Sequence, residues 1–174
     1  SLSTTLATNA CVEHKGGRAK LVFIGVNPQV VKKMGGEYGL PPMGDIYFMK
    51  GDAGQPDSLE NTPDWQKFEE DIVQDFRDFD SVAIVQMNPK YNDGEYEIKA
   101  EQIIKKTLGL PCVRGYDLFQ ELNVQKRGAT ALLNARLLPV MEDFFDSIEG
   151  SLAELGLDLP IVIVKSDGSI MSRE

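Results

Sequence analysis

Residues 20–26, KLVFIGV, decide the fold class of this chain. The stretch is short, apolar after its first residue and bounded by glycine, which is typical of a strand buried on both faces. Residues 81–87 (SVAIVQM) and 161–164 (IVIV) have the same character, and residues 111–113 form a shorter candidate strand. Strands buried on both faces occur mainly in parallel sheets that are covered by helices on each side.

Amphipathic patterns between these stretches predict the covering helices. Apolar residues recur at three- and four-residue steps over 63–79, 94–108 and 124–155. The first stripe consists of Trp65, Phe68, Ile72, Phe76 and Phe79. The third consists of Leu133, Leu137, Met141, Phe144, Ile148, Leu152 and Leu155, with Pro139 inside it to kink the helix or divide it in two. Together, the strands and helices predict an α/β fold, a mostly parallel sheet flanked by amphipathic helices.

Polar residues and glycines mark where these elements start and stop. Thr62 before Pro63 is expected to cap the first helix of the pattern, and Asp93 to cap the second. Residues 35–62 are rich in Gly, Pro and Asp and predict an irregular excursion with a small hairpin or edge strand at 46–49. We therefore expect a single domain over residues 3–172.

Composition narrows the classes of function. The 174 residues carry 18 Lys and Arg against 27 Asp and Glu, a net charge of −9, which argues against binding nucleic acid or anionic membranes. No apolar run approaches the roughly 20 residues that span a bilayer, and no signal peptide is visible, so we expect a cytoplasmic protein. Cys11 and Cys112 are interpreted as free thiols, with a disulfide left open. With His14 as the single histidine, no metal site is predicted.

Candidate ligand sites follow the strands, because ligands of open α/β sheets bind outside the carboxyl ends of the strands. Three such ends are residues 25–27, residues 88–89 and the turn after 161–164. The turn supplies hydroxyls, a carboxylate and glycine-freed backbone N–H groups that could hold a phosphate or a polar ring, and a plain strand-ending turn is the alternative. Its residues are Ser166, Asp167, Gly168 and Ser169.

Two further sets of polar residues lie on predicted helices. Thr4 and Thr5 start an N-terminal helix, where unpaired N–H groups favour an anion, although capping alone is the alternative. Asn9 and Asn134 lie inside helices, where Asn is unfavourable, so a specific hydrogen bond is expected at each. The phosphate-binding patterns G-x-x-x-x-G-K-[ST], G-x-G-x-x-G and D-x-G-G-T are all absent from the sequence.

Three segments resemble the hydantoinase A/5-oxoprolinase family. Residues 4–16 follow its T-T-x-A-T-N-A-x-x-E-x-K-G pattern, and residues 127–135 follow R-x-x-T-x-x-x-N-A. Residues 152–172 are similar to L-x-x-L-G…P…S-[ND]-G-G-x-M-S, with Ser169 at the second glycine. The three segments stand in the family's order and are spread over the whole chain.

The resemblance implies an actin/Hsp70-like, ribonuclease H-like ATPase architecture and ATP-dependent hydrolysis of cyclic amides such as hydantoin or 5-oxoproline. Phosphorylation of the amide oxygen would turn it into a leaving group. ATP and Mg are then expected for a full-length protein, because both D-x-G-G-T loops would lie outside this chain. The chain itself would be an inactive internal fragment that binds neither. A second enzyme subunit is also implied, since related proteins are subunits of ATP-dependent ketone carboxylases.

The resemblance also implies roles for individual residues. Thr4 and Thr5 would lie near phosphate or substrate, Arg127 would contact an anion or a carbonyl, and residues 166–169 would shape a cleft. Asn134 would fix the long helix against the sheet. Two alternatives remain: a non-catalytic ligand-binding or regulatory module on the same scaffold, and an unrelated small α/β enzyme with flavodoxin-like topology.

Overall fold

A computed structural model describes residues 16–54, 61–118, 123–159, 161–164 and 170–172. Within these ranges, four strands form a parallel sheet in the order β2-β1-β3-β4. The strands are β1 (Ala19–Ile24), β2 (Ile46–Met49), β3 (Ser81–Gln86) and β4 (Cys112–Arg114). The predicted α/β fold with a parallel sheet is confirmed.

Helices cover both faces of this sheet. They are α1 (Pro28–Met34), α2 (Trp65–Asp75), α3 (Glu95–Leu108), α4 (Gly115–Leu118) and α5 (Val124–Glu154). Short 3-10 turns occur at Gly35–Tyr38, Met43–Asp45 and Pro89–Tyr91. Among the described residues, no helix is long and apolar enough to cross a membrane.

Alternate residues of the central strands enter two separate cores. Leu21 and Phe23 of β1 pack with α1 and the first turns of α5, whereas Val22 and Ile24 pack with α2 and α3. All six residues of β1 are buried, as are all six of β3. This double burial explains why both strands read as continuous apolar runs rather than as alternating patterns.

The apolar stripe predicted for α2 is confirmed. Phe68, Ile72 and Phe76 are fully buried against the sheet, and Phe79 is buried as well. The helix itself begins later than expected, because Asp64 caps it rather than Thr62. The carboxylate of Asp64 accepts the backbone N–H of Lys67 at 3.0 Å.

The prediction that Asp93 caps α3 is also wrong. Gly94, in a left-handed conformation with φ 73°, stands at the N-cap position and offers no side chain, and Asp93 does not take that role. The side-chain oxygen of Gln86, from the end of β3, instead accepts the N–H groups of Tyr96 and Glu97 at 3.1 and 3.3 Å. A residue of the sheet therefore replaces the local cap.

The stripe predicted for the first half of α5 is wrong. Leu133 is 47 % exposed, and the residues turned to the sheet are smaller ones such as Gly128, Ala131 and Ala135. Gly128 shows the physical reason, since an added Cβ would lie 2.5 Å from the ring of Phe23. The small residues let α5 approach the sheet closely, and the larger Leu132 and Val124 of α5 are buried in the same core.

The helix α5 is continuous through Pro139, so the predicted division of this helix does not occur. Of the two alternatives expected for residues 46–49, a small hairpin or an edge strand, the structure shows the edge strand. These residues form β2, which pairs parallel with β1.

The last predicted strand does not belong to the parallel sheet. The chain divides into two compact units, Ser1–Val140 and Met141–Glu174. In the second unit, β5 (Val162–Val164) pairs antiparallel with β6 (Ile170–Ser172). Val162 is 53 % exposed, so the expectation of a buried strand is wrong here. A run of β-branched residues favours a strand of either kind and does not specify its neighbour.

Candidate functional site

The carboxyl ends of β1, β2 and β3 meet at one edge of the sheet. The chain runs from β1 outward to β2 and then returns to the other side of β1 as β3. Strand order therefore reverses between β1 and β3, which is where open α/β sheets place their ligand crevice. Two of the three strand ends predicted as ligand sites, residues 25–27 and 88–89, lie at this edge.

An open cleft of about 570 Å³ lies at the ends of β1 and β2. It combines apolar side chains, one lysine, one aspartate and two asparagines with exposed backbone. Its lining residues are Gly25, Val26, Asn27, Pro28, Phe48, Met49, Lys50, Gly51, Asp52 and Asn61. This combination of an apolar wall with a few polar groups is typical of a small-molecule site.

Two glycines line the cleft where β1 and β2 end. Gly25 has φ 77° and Gly51 has φ 148°, both in the region that favours glycine. An added Cβ on Gly25 would lie 1.8 Å from the carbonyl oxygen of Gly51. Backbone hydrogen bonds tie the strand ends together: Gly25 N–H donates to Met49 O, and Met87 N–H donates to Ile24 O, both at 2.8 Å. The strand ends therefore approach each other through their backbones at this side of the cleft.

Asp52 is held at the rim by contacts from two loops. Its Oδ1 accepts the N–H of Gly54 at 2.9 Å and the amide Nδ2 of Asn88 at 3.1 Å. Asn88, which follows β3, adopts a left-handed backbone with φ 52° that points to a constrained turn. Backbone N–H of Asp52 also donates to Asn61 O at 2.8 Å. The rim thus presents a positioned carboxylate that can accept hydrogen bonds from a ligand.

A buried polar network lies behind this edge, centred on Gln86. Its backbone N–H donates to Glu97 Oε1 at 2.9 Å, and its carbonyl accepts from Arg127 Nη2 at 2.7 Å. Its side-chain Nε2 donates to Asn92 Oδ1 at 2.8 Å, and its Oε1 accepts the N–H groups that start α3. Gln86 therefore connects β3 to α3, to α5 and to the loop between β3 and α3.

Glu97 is a fully buried carboxylate within this network. Besides the contact with Gln86, its Oε2 accepts the N–H of Tyr116 at 2.9 Å. Burial raises the pKa of Glu97 to about 6, although the two backbone hydrogen bonds and the charge of Arg127 act in the opposite direction. The guanidinium of Arg127 stands at 3.9 Å, Nη1 to Oε1, beyond hydrogen-bond distance.

Arg127, predicted to contact an anion or a carbonyl, is only 2 % exposed. It donates to the backbone carbonyl of Gln86, and its Nε and Nη1 have no hydrogen-bond partner in the described part of the chain. Burial lowers the pKa of Arg127. Asn134, by contrast, donates from Nδ2 to the carbonyl of Thr130 at 2.9 Å, a bond within α5 itself.

The other predicted site residues lie outside the described residues, and their roles stay predictions. These are Thr4, Thr5, Asn9, Ser166, Asp167, Gly168 and Ser169. The reason for choosing residues 166–169, that they follow a parallel strand, is wrong, since β5 pairs antiparallel with β6. Within the described ranges, no group of three or more His, Cys, Asp or Glu residues could hold a metal ion.

Sequence reasoning missed the residues that structure the edge. Asp52 could have been noticed as the first residue of an Asp-x-Gly turn that directly follows an apolar patch. Gln86 is a polar residue at the end of an otherwise apolar strand. Glu97 shares a helix face with Ala100 and Ile104, both fully buried, so a charged residue there required a buried partner.

These features define the described sheet and helices as a doubly wound α/β domain with a cleft of apolar and polar residues at its carboxyl edge. No family model matches the sequence, and no curated protein matches it. Several solved structures share the fold. ATP-dependent caprolactamase from Pseudomonas jessenii is 21 % identical with a TM-score of 0.69, and the match covers 97 % of this chain and 26 % of that one.

The second structure is nucleotide-free acetone carboxylase, solved in connection with ATP-dependent acetone carboxylation. It is 14 % identical with a TM-score of 0.63, and the match covers 98 % of this chain and 28 % of that one. The chain thus spans about a quarter of the length of each structure. At these identities the similarity establishes a shared fold.

Proposed function

We propose that this chain is one domain of a longer ATP-dependent enzyme that hydrolyses cyclic amides of the hydantoin or 5-oxoproline type. The observation that carries the proposal is the match of 97 % of the chain to ATP-dependent caprolactamase at a TM-score of 0.69. The three ordered segments similar to hydantoinase A/5-oxoprolinase proteins support the same class of reaction independently of the fold.

The cleft at the carboxyl edge is the part of the described chain that suits such a substrate. A cyclic amide is a small ring that carries an N–H donor and a carbonyl acceptor. The carboxylate of Asp52 can accept the N–H, and Phe48 with Val26 supplies an apolar wall for the ring. We therefore assign the cleft a role in binding and orienting the substrate.

We further propose that the ATP chemistry belongs to other parts of the longer protein. ATP would supply the phosphoryl group that activates the amide carbonyl, with Mg as its counter-ion. This sequence contains none of the phosphate-loop patterns, and a metal-binding cluster is absent from the described residues. The chain alone is then inactive and binds no ATP.

A second candidate function is a subunit of an ATP-dependent ketone carboxylase. The match of 98 % of the chain to acetone carboxylase at a TM-score of 0.63 favours it. The substrate would then be a ketone with bicarbonate, and a second enzyme subunit would be required. The two functions share a scaffold. They differ in the substrate whose carbonyl oxygen is activated, which is an amide in the first and a ketone in the second.

Steady-state assays of the full-length protein test the proposal. We expect ADP release coupled to ring opening of hydantoin, 5-oxoproline or caprolactam, and none from the 174-residue chain. Asp52→Asn should raise KM about tenfold with kcat little changed, because a charged hydrogen bond to the bound ring is weakened. Asp78→Asn is the matched control, since Asp78 is exposed near the amino end of β3, away from the cleft.

Three results would contradict the proposal. Bicarbonate-dependent consumption of acetone without amide hydrolysis would favour the carboxylase. A stoichiometric micromolar Mg-ATP site on the 174-residue chain, seen by calorimetry, would show that the phosphate chemistry is not placed elsewhere. An equal change in KM for Asp52→Asn and Asp78→Asn would show that the cleft does not bind the substrate.

A further inference from the structure

We propose that Asn88 positions Asp52 so that the cleft selects cyclic amides whose ring nitrogen carries a hydrogen and rejects those with an N-alkyl group. Asp52 accepts the ring N–H, and Asn88 is a positioning residue that holds Asp52 for this contact. The inference rests on the proposed function, because it concerns how the same cleft recognises its substrate. It names the group that is recognised and a second residue on which recognition depends.

The two oxygens of the Asp52 carboxylate have different surroundings. Oδ1 accepts two hydrogen bonds, from the N–H of Gly54 at 2.9 Å and from Nδ2 of Asn88 at 3.1 Å. Oδ2 accepts no hydrogen bond from the described part of the chain. Each carboxylate oxygen has two lone pairs, so the protein uses both lone pairs of Oδ1 and leaves Oδ2 for solvent or a ligand.

The oxygen that the protein uses lies on the side away from the cleft. Asp52 lines the cleft, whereas neither Gly54 nor Asn88 is among its lining residues. A Cβ added to Gly54 would lie 3.2 Å from Asp52 Oδ1, 3.5 Å from Asn88 Nδ2 and 3.3 Å from Tyr91 Cε2. These side chains therefore close around Oδ1, and Oδ2 is the oxygen that remains for the cleft.

Asn88 is fixed by the sheet on which the cleft is built. The residue before it, Met87, donates its N–H to Ile24 O at 2.8 Å, and the residue after it, Pro89, is buried. Asn88 itself is left-handed, with φ 52° and ψ 50°, a conformation that Asn adopts more readily than most residues. It follows β3, Asp52 follows β2, and β1 lies between these strands. The bond between the two side chains thus spans the end of β1.

A local turn explains only one of the two bonds to Oδ1. An aspartate that accepts the N–H two residues later forms a common turn, and the bond from Gly54 alone would be such a case. The bond from Asn88 joins residues 36 positions apart and has no local origin. A turn would let the carboxylate move with its loop, whereas Asn88 fixes the carboxylate relative to the strand ends.

A carboxylate in this position distinguishes substrates by the group on the ring nitrogen. It accepts hydrogen bonds and cannot donate them, so a ring N–H can replace the water that solvates Oδ2. An N-methyl ring displaces the same water without replacing its hydrogen bond, which lowers affinity. Asp52 is half-buried, so we expect a discrimination of about tenfold rather than the larger ratios of fully enclosed sites.

NMR titrations of the 174-residue chain without ATP test the inference, with caprolactam and N-methylcaprolactam as probes. The backbone N–H signals of Lys50 and Gly51 report binding in the cleft. We expect caprolactam to bind about tenfold more tightly, and Asn88→Gly to reduce this ratio to about threefold or less. Glycine keeps the left-handed backbone and removes only the amide. General damage to the cleft would weaken both probes equally and leave the ratio unchanged.

Two further variants complete the test. Asn88→Asp keeps the size of the side chain and removes the donor, so it should reduce the ratio as Asn88→Gly does. Asn134→Ala is the control, because it removes an amide that donates within α5, and the ratio should stay at its wild-type value. Thermal unfolding shows that each variant is folded before it is titrated.

The inference is overturned if the wild-type chain binds the two probes equally or binds neither. It is also overturned if both Asn88 variants keep the wild-type ratio. Failure of the proposed function gives a different result. An intact ratio without ATP-coupled ring opening by the full-length protein would refute the enzyme activity and support the inference, whereas ring opening with equal binding of the two probes would do the reverse.

Discussion

Gly25 shows how one backbone position builds the cleft. Its φ of 77° and the 1.8 Å that would separate an added Cβ from Gly51 O leave no room for any side chain. We predict that Gly25→Ala lowers the free energy of unfolding by at least about 2 kcal/mol, because both the strained conformation and the clash must be relieved. Urea denaturation measures this change.

Gly36→Ala is the matched control for that experiment. Gly36 is exposed, and an added Cβ there would contact nothing within 4 Å. Its effect should stay within about 0.5 kcal/mol. Equal losses of unfolding free energy at the two positions would mean that the close approach of Gly25 to Gly51 does not exclude a side chain.

Glu97 makes stability depend on pH in a defined direction. Burial raises its pKa from an ordinary 4.5 to about 6. The Glu97 carboxyl of the folded chain therefore binds its proton more tightly than the same group does in the unfolded chain. The stability that this protonation contributes is fully present below pH 4.5, and it is lost as the pH rises through about 6. Arg127, which favours the charged form, and Asp117, which opposes it, also act on this carboxyl.

We predict that the wild-type chain gains roughly 2 kcal/mol relative to Glu97→Gln between pH 7 and pH 4, since each pKa unit corresponds to about 1.4 kcal/mol. Denaturation at a series of pH values measures the difference. Glu95→Gln, an exposed position in the same helical turn, should show no such trend. A difference between wild type and Glu97→Gln that does not change with pH would contradict the prediction.

At the scale of elements, α2 shows the clearest agreement between pattern and packing. Phe76 directly follows α2, is fully buried and packs edge-on against Tyr47 and Phe68. We predict that Phe76→Ala lowers the free energy of unfolding by about 3–5 kcal/mol, because it opens a cavity between α2 and the sheet. The control is Val73→Ala on the outer face of α2, where the side chain is 52 % exposed. A loss below about 1 kcal/mol at Phe76 would contradict the prediction.

The helix α5 shows why such patterns can mislead. Its sequence offers two faces, one of large apolar residues and one that includes Gly128, Ala131 and Ala135. The second packs on the sheet, because its small residues allow close approach to Phe23. Periodicity weights residues by hydrophobicity, and it cannot register the distance between two packed elements.

At the scale of the whole molecule, the class of fold could be predicted and the candidate site only in part. Buried strands alternating with amphipathic helices are local patterns, so the parallel sheet followed from them. Strand order depends on contacts between distant segments, and the cleft lies where the ends of two neighbouring strands, β1 and β2, come together. The sequence pattern therefore identified residues 25–27 and 88–89 as separate strand ends. It did not identify Asp52, because the hydrogen bond from Asn88 to Asp52 joins residues that are 36 positions apart.

The same dependence on distant contacts explains the error at β5. Its apolar run was typical of a core strand, yet it pairs with β6 in the second compact unit. The buried network has a similar origin. Gln86, Glu97 and Arg127 come from three elements, and no spacing in the sequence connects them.

The close contact between Gly25 and Gly51 separates two properties that most binding sites combine. The ends of β1 and β2 meet there through backbone alone, so this contact does not depend on which side chains surround the cleft. An exposed rim position such as Lys50 can then be exchanged without disturbing the ends of the strands. For natural evolution and for protein engineering, a new ligand preference at this edge then requires only a few changes of side chain at the rim.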